Sequence, residues 1–313
     1  MDDYIAYTMA FSKVRGLGLK RLVEYRNELV ALSDEQEAWM LLERVQNRYR
    51  RWIRELPDRG CFQQWLDEAR ETLKKQEDLG IHSVSFKDKY YPAGFRYVHQ
   101  PPLYFFYKGN IDALQKKSIA IIGTREVTPY TEKIGYRMGE YAAEKGWNVV
   151  SGLALGSDAA GHRGCLHGYG VTIAIVGTPL DKVYPKQNAK LEKEILACDG
   201  CVISEYPMGT KYSPGHFVER DRLQSGLAQG VFVVATGETG GTWHAILEAD
   251  NLEKPIAFWD YRRAGHYDYE RDSHTWGMKN MELLGAMPLA SKADVDSFLL
   301  QCNGRFDEGN LFL

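Results

Sequence analysis

The stretch Ser-Ile-Ala-Ile-Ile-Gly-Thr-Arg at 118–125, followed by a helical segment and by Val-Val-Ser-Gly-Leu-Ala-Leu-Gly-Ser-Asp at 149–158, determines the predicted fold. Each part begins with an apolar run, which is typical of a strand buried on both faces of a sheet. Thr128-Pro129 fits a helix N-cap followed by a proline at the first helical position, and Gly146 fits the C-terminal glycine of that helix. The stretch therefore predicts a βαβ unit, and ligands of parallel sheets bind at the carboxyl ends of the strands.

The same strand–turn–helix pattern continues to residue 259. Further strands are predicted at 172–176, 201–204, 231–235 and 255–259, and helices at 157–167, 189–197, 221–228 and 241–253. Such alternation predicts an α/β fold, namely an extended Rossmann-like parallel sheet with helices on both faces. After it we expect a loop at 262–275, a short helix or turn at 281–286 and a final helix at 294–300.

Residues 1–80 are rich in charged and helix-forming types, which predicts a small all-helical domain of three or four helices. Within it, Val-Arg-Gly-Leu-Gly at 14–18 has the form of a helix-hairpin-helix turn, which presents backbone amides to a DNA phosphate. A glycine turn between two packed helices is the alternative interpretation. The arginine-rich stretch 44–54, which contains Tyr49 and Trp52, is either a solvated helix face or a phosphate-contacting face.

The segment between the two domains is predicted to be largely extended. Residues 81–86 alternate in polarity as a strand does, whereas the prolines of 87–109 argue against a central strand there. We expect an extended connector with buried aromatic residues. The chain is thus divided into a helical domain at 1–80, an extended lead-in at 81–117, a Rossmann-like domain at 118–300 and a tail at 301–313.

Composition limits the classes of function. The 313 residues carry a net charge of −3, so any nucleic-acid site must be a local basic patch. The five cysteines are odd in number, and only Cys198 and Cys201 lie close together without a second such pair, which predicts reduced thiols and no metal site in a cytoplasmic protein. The N-terminus lacks a signal-peptide pattern, and no stretch of the chain has the roughly 20 apolar residues that span a bilayer. We therefore expect no membrane segment.

The predicted strand ends share small and polar residues. They are 123–125, 151–156, 177–179, 204–206 and 236–242. Because glycine lets a ligand approach the backbone and helix N-termini offer free amides, these turns predict a site for phosphate or another anion. The chain lacks both the GxxxxGK[ST] and the GxGxxG motif, which argues against P-loop ATP hydrolysis and against an NAD site.

Several cations follow these strand ends. They are Arg125, Lys186, Lys211, Arg220 and Arg222. Arginine suits bidentate contact with phosphate, and for each of these side chains a surface ion pair is the alternative role. No Ser-His-Asp arrangement is predicted, and the spacing of His162 and His167 puts them on different helix faces, which argues against a shared metal.

At these motifs the chain resembles the DNA-processing protein DprA (Smf) family of the wider SLOG superfamily. The resemblance rests on 119–125, 150–158, 160–162, 172–180, 184–188, 203–207, 217–222, 231–242 and 285–286, and on the lead-in 91–109. It implies a protein without catalytic activity that binds single-stranded DNA in a basic pocket, protects it and hands it to a RecA-type recombinase during natural transformation. It also implies a homodimer, no cofactor and a SAM-like character for the amino-terminal helices.

The resemblance implies site residues as well. Arg125, Lys186, Arg220 and Arg222 would contact phosphates, and Lys211 is a looser candidate. Close backbone or hydroxyl contacts would come from Gly123, Ser151, Gly152, Gly240 and Thr242. No catalytic residue and no metal ligand is implied.

The sequence departs from the family pattern at several points. The Arg-Asn-Arg of the family is Arg-Asp-Arg at 220–222, which places a carboxylate beside two expected phosphate ligands, and Gly240-Gly241-Thr242 replaces Ser-Gly-Ser. No carboxyl-terminal winged helix is expected after residue 300. A SLOG-type nucleotide sensor or phosphoribohydrolase, a specialised relative with another role and a protein-binding scaffold remain alternatives, although Ala245 replaces the glutamate that the hydrolases carry.

Overall fold

The computed structural model of the protein describes residues 3–263 and 268–310. The α-helices in these ranges are α1 Asp3–Ser12, α2 Leu19–Glu24, α3 Arg26–Val30, α4 Glu35–Arg48, α5 Arg59–Asp78, α6 Pro129–Glu144, α7 Ser157–His167, α8 Ala189–Ala197, α9 Pro214–Leu227, α10 Thr242–Asn251, α11 Met278–Leu283 and α12 Lys292–Asn310. The strands are β1 His82–Ser85, β2 Tyr104–Gly109, β3 Ser118–Ile122, β4 Asn148–Ser151, β5 Thr172–Ile175, β6 Cys201–Ser204, β7 Gly230–Val233, β8 Ile256–Trp259 and β9 Met287–Leu289.

All of these strands form one sheet, in the order β1-β2-β6-β5-β4-β3-β7-β8-β9. The run from β6 to β9 is parallel, whereas β2 is antiparallel to both of its neighbours. The chain moves from β3 to β4 on one side and later returns to place β7 on the other side of β3. The order of the strands therefore reverses between β3 and β7, and this switch point is where open parallel sheets bind ligands.

The predicted α/β fold with helices on both faces is confirmed. Ile119 and Ile121 of β3 pack with α6, α7 and α12, whereas Ala120 and Ile122 face α10 and α11. This alternation follows from the two-residue period of a strand, and both faces are apolar because both are covered. The predicted start of α6 is also correct, since Thr128 forms a capping box with Thr131 before Pro129.

One prediction for the lead-in is wrong. β2 lies between β1 and β6 as an inner strand of the sheet, whereas the prolines of 87–109 argue against a central strand there. Pro101 and Pro102 lie before the first residue of β2, so they remove no backbone hydrogen bond from its pairing with the neighbouring strands. Phe105 and Phe106 of β2 are fully buried, as expected for the aromatic residues of this segment.

The amino-terminal region contains α1–α5, more helices than the three or four predicted, because a break at Tyr25 separates α2 from α3. Its apolar core continues into that of the sheet: Phe62 and Leu66 of α5 belong to the same cluster as Phe106 of β2 and Val202 of β6. The domain boundaries near residues 80, 117 and 300 remain predictions. No described helix has the length and apolar character needed to cross a membrane.

Several element boundaries differ from those predicted. α9 begins at Pro214, not at residue 221, because a proline at the first helical position starts the helix early. The short strand β9 was not predicted, and α11 begins at Met278. α12 runs to Asn310, through most of the predicted tail. Part of the predicted loop 262–275, namely 264–267, and the tail residues 311–313 lie outside the described residues.

Candidate functional site

A groove of about 680 Å³ opens at the switch point between β3 and β7. Its walls are the turn 123–126 after β3, the turn 236–241 after β7, the first turns of α9 and α10, and residues 273–276. We call this the switch-point groove. Gly123, Gly240 and Thr242, which come from the glycine-rich strand ends, line it. The first amides of α10 lie at the same edge and favour an anion there.

Arg125 is the exposed cation of this groove. Its guanidinium carbon lies 5.5 Å from the centre of the Phe217 ring. Tyr184 and Tyr212 pack around the same ring at 5.4 and 5.6 Å. Among the ion pairs of residues 3–263 and 268–310, none involves Arg125, so the guanidinium is available to an anion beside an aromatic surface.

Arg220 forms a buried positive charge in the floor of the groove. Its Nη1 donates to the carbonyl of Ile175 at 2.7 Å, and its Nε lies 3.2 Å from Oδ1 of Asp221. The side chain is only 4% exposed. Gly152 provides the space for it, because a Cβ at that position would overlap the Arg220 guanidinium. The contribution of Gly152 to the site is thus to accommodate Arg220.

We expect Gly152→Ala to lower the free energy of unfolding by roughly 2 kcal/mol, because the added methyl group overpacks a buried site. The guanidinium can move aside only by giving up its bond to Ile175. The measurement is the urea midpoint of the variant, with Gly241→Ala as the control, because a Cβ at Gly241 meets no atom within 4 Å and its φ of −62° suits alanine. A fall no larger than that of the control would contradict the packing explanation.

Two carboxylates share the field of Arg220. Asp221 lines the groove, and burial raises its pKa to about 7, against the lowering effect of Arg220. Asp158 accepts the amide hydrogens of Gly152 and Ala154 at 3.0 and 3.3 Å, which fixes the turn after β4. Burial raises the pKa of Asp158 as well, again opposed by Arg220. One buried guanidinium thus faces two acids that are costly to ionise together.

Arg222 lies outside the switch-point groove, contrary to the prediction that it joins Arg220 at one phosphate site. Residues two apart on a helix point to different faces, and Arg222 lines a second cavity of about 910 Å³ between α1, α2 and the sheet domain. Both of its terminal nitrogens lie 2.7 Å from the carboxylate of Glu205, and it also donates to the carbonyls of Gln100 and Glu219. We call this space the interdomain cavity.

Four other predicted residues do not line the switch-point groove, and Gly152, which accommodates Arg220, is one of them. Ser151 is buried, and its hydroxyl donates to the carbonyl of Ile121 at 2.6 Å. Lys186, at the start of a short 3₁₀ turn, and Lys211 are exposed outside the groove lining. Lys186 follows Tyr184 by two residues, and Lys211 directly precedes Tyr212. Both tyrosines pack against the Phe217 ring. The two lysines therefore flank the aromatic side of the groove.

Aromatic residues also line the groove, and no sequence pattern predicts them. Phe217, Tyr212 and Trp276 line it together with His274. They come from two distant segments and follow no helical or strand period, so only the fold brings them together. The indole N–H of Trp243 donates to the carbonyl of Gly237 at 2.9 Å, which ties the turn after β7 to α10.

Several histidine and cysteine side chains are enclosed in the protein interior. His162 is fully buried with Nδ1 2.6 Å from the Thr172 hydroxyl, and burial lowers its pKa to about 3. Cys165 and Cys201 are buried too, and burial raises the pKa of each thiol. Within residues 3–263 and 268–310, no three histidine, cysteine or acidic side chains are grouped so that they could hold a metal ion.

Comparison with known proteins agrees with this architecture. The chain is 30% identical over 258 residues to Protein Smf of Synechocystis sp., covering 80% of this chain and 63% of that protein. It is 32% identical over 182 residues to the DNA processing protein DprA of Bacillus subtilis, covering 58% and 61%. The chain thus spans about 60% of the length of these curated relatives.

Two solved structures share the fold. The crystal structure of DNA processing protein A from Streptococcus pneumoniae superposes with a TM-score of 0.75 and 25% identity, covering 95% of this chain and 98% of that one. DNA processing protein A from Helicobacter pylori, described for its single-stranded DNA binding mode, gives 0.60 and 26%, covering 70% and 96%. The family model for DNA recombination-mediator protein A matches residues 82–288, more than half of the chain. This chain therefore belongs to the DNA recombination-mediator protein A family.

Proposed function

We propose that this protein binds single-stranded DNA in the switch-point groove and does not cleave it. The observation that carries the proposal is Arg125, an exposed guanidinium held at the switch point beside the Phe217 ring. Single-strand binding combines cations for the phosphates with aromatic faces on which bases stack, and the groove offers both. The single-strand binding described for the Helicobacter pylori relative supports the same assignment.

The other groove residues have distinct roles in this proposal. The turn 236–241 and the first amides of α10 would receive a phosphate at Gly240 and Thr242, close to Arg125. Bases would stack on the rings of Phe217, Tyr212 and Trp276. Lys186 and Lys211 would contact the strand outside the groove, and Arg220 would act on it from the floor as a fixed positive charge without leaving its bond to Ile175.

The biological steps beyond binding rest on family resemblance. We propose that the protein protects the strand and hands it to a RecA-type recombinase during DNA uptake or recombination, as a cytoplasmic homodimer without a cofactor. Membership in the DNA recombination-mediator protein A family supports this role. The test adds a RecA-type recombinase to single strands with and without this protein bound to them. Transfer of the strand predicts that recombinase filaments grow faster when the protein is present.

Fluorescence anisotropy of labelled oligonucleotides tests the binding itself. Single- and double-stranded oligonucleotides of one sequence are titrated at two salt concentrations. We expect preference for the single strand and a log–log salt slope of about 0.7 for each phosphate contact. Equal affinity for the two forms, or binding that ignores salt, would contradict the proposal.

A nucleotide sensor is the second candidate, because the groove has the size and position of a mononucleotide site. A nucleoside monophosphate that displaces the labelled strand at micromolar concentration would favour it. Release of a free base would instead indicate a phosphoribohydrolase, although Ala245 lines the groove where that chemistry needs a carboxylate.

Asp221→Asn should strengthen single-strand binding several-fold at pH 8 and change it little at pH 6. The pKa of Asp221 is raised to about 7, so its carboxyl group is largely neutral below that pH and negatively charged above it. A bound phosphate disfavours the charged form, and wild-type affinity therefore falls as pH rises through 7. The matched measurement is the ratio of the two dissociation constants from pH 6 to 8.

Other polar side chains, such as His274, also line the groove and are the same in both proteins. The ratio of the dissociation constants of the variant and the wild type therefore isolates the effect of Asp221. An unchanged ratio across this pH range would show that Asp221 does not face the bound strand. Asp221→Glu, which keeps the charge, serves as the control.

A further inference from the structure

The helical domain carries a second surface suited to nucleic acid. Trp52 is 50% exposed, and two guanidinium groups lie near its ring, with the Arg21 carbon at 4.6 Å and the Arg51 carbon at 5.6 Å from the ring centre. Arg48 lies 5.8 Å from the neighbouring Tyr49 ring. We call these five side chains the arginine–tryptophan surface.

The surroundings of this surface are basic. Segment 13–21 contains four lysines or arginines, segment 44–54 contains five arginines, and neither segment contains an acidic residue. Of these nine cations, only Lys13 and Arg48 form ion pairs within the described residues, with Glu68 at 2.6 Å and Glu24 at 3.8 Å. Most of the positive charge is therefore uncompensated by neighbouring carboxylates.

The surface is rigidly held. Gly16 packs so closely on the backbone of Trp52 that a Cβ would overlap the Trp52 carbonyl. The amides of Trp52 and Ile53 both donate to the Tyr49 carbonyl, at 2.8 and 2.9 Å, and the Ile53 side chain is fully buried. The turn at 14–18 thus joins the two basic segments, and packing accounts for its Gly16. An ordered indole pays little entropy when a base stacks on it.

The interdomain cavity adjoins the switch-point groove and extends to the helical domain. Val218 lines both spaces, and Gly18 and Lys20 line the cavity on the side of the helical domain, next to Arg21. The two domains share an apolar core, and the Met208 amide donates to the Gln76 side chain at 2.7 Å. A strand leaving the groove past Val218 would therefore meet the helical domain in a fixed position.

We propose that the arginine–tryptophan surface is a second contact for the same single strand, reached across the interdomain cavity. The inference rests on the proposed binding in the switch-point groove. A base stacks on the exposed Trp52 ring, and Arg21 and Arg51 hold the flanking phosphates. An acidic peptide would use the charge but not the exposed Trp52 ring beside it, and the surface lacks the broad apolar face of a membrane-binding helix.

The test compares oligo(dT) of about 8 nucleotides, which fills one site, with oligo(dT) of about 30 nucleotides, which reaches both. We expect Trp52→Ala to weaken binding of the long oligonucleotide roughly tenfold and to leave the short one unchanged. Arg21→Gln/Arg51→Gln should lower the salt slope by about 0.7 for each lost contact, for the long oligonucleotide alone. Arg125→Ala should weaken both lengths.

The control is Arg59→Gln, which removes another exposed arginine that lies over a tryptophan of the helical domain, Trp39, at 5.2 Å. It should change neither length. Equal weakening of both lengths by Trp52→Ala, or no effect of Trp52→Ala and Arg21→Gln/Arg51→Gln on the long oligonucleotide, would overturn the proposal. The effect of Arg125→Ala on the short oligonucleotide tests the proposed function, because Arg125 lies in the switch-point groove and not on the arginine–tryptophan surface. If neither variant affects the long oligonucleotide, binding of anionic vesicles is measured as well. Vesicle binding by the wild type that Trp52→Ala abolishes would assign the surface to a membrane.

Discussion

Arg125→Ala should weaken binding of short single-stranded oligonucleotides roughly ten- to hundredfold. A hydrogen bond to a charged group contributes about 1.5–3 kcal/mol, and 1.4 kcal/mol is a tenfold change in the dissociation constant. No described carboxylate pairs with this guanidinium, so the substitution removes a phosphate ligand without leaving a buried charge unpaired. The stability of the protein should change by less than about 0.5 kcal/mol, as for other exposed positions.

Anisotropy titration at several salt concentrations measures this effect. The salt slope should fall by about 0.7, which corresponds to one lost phosphate contact on a single strand. Arg137→Ala on α6 is the matched control, because Arg137 is also exposed but pairs with Glu140 and does not line the groove. If Arg125→Ala binds as tightly as this control, the strand does not pass over Arg125 and the proposed function fails.

Strong local patterns predicted the fold well where they exist. β6, α7 and α8 begin and end at the predicted residues, because apolar runs and glycine turns define them. β2 was missed because its position depends on pairing with β1 and β6, which are distant in sequence from one another. β9 has only three residues, too few for a period to appear.

The candidate site was only partly predictable for a similar reason. The glycine-rich turns at Gly123 and Gly240 place the groove, since any parallel sheet brings its strand ends to one edge. The sequence does not show that Gly152 faces Arg220, because that contact joins the turn after β4 to α9, which are distant in sequence. It also gives no sign that Phe217 and Trp276 share the groove.

Arg220 and Arg222 show most clearly what the motif conceals. The resemblance implied the same role for both, yet they lie on different faces of α9, one below the switch-point groove and one in the interdomain cavity. The guanidinium of Arg222 is engaged by Glu205 and by two backbone carbonyls. Its geometry is that of a structural ion pair that joins α9 to the segment after β6.

Arg222→Ala should therefore lower the free energy of unfolding by about 3–5 kcal/mol, because it leaves the Glu205 carboxylate buried without a partner. The pair is nearly inaccessible, with each side chain 11% exposed. A loss of this size corresponds to a fall in the melting temperature of roughly 10 °C for a chain of this length. Calorimetry or circular dichroism during heating measures it.

The double variant Arg222→Met/Glu205→Leu separates the two possible roles of Arg222. Replacing both partners of a buried ion pair with apolar residues is often neutral, so this variant should regain most of the lost melting temperature. Below its melting temperature it should also bind short single strands as the wild type does, because Arg222 does not line the switch-point groove. A stable double variant that binds the short strand tenfold more weakly would instead make Arg222 a phosphate ligand, and would require the strand to enter the interdomain cavity.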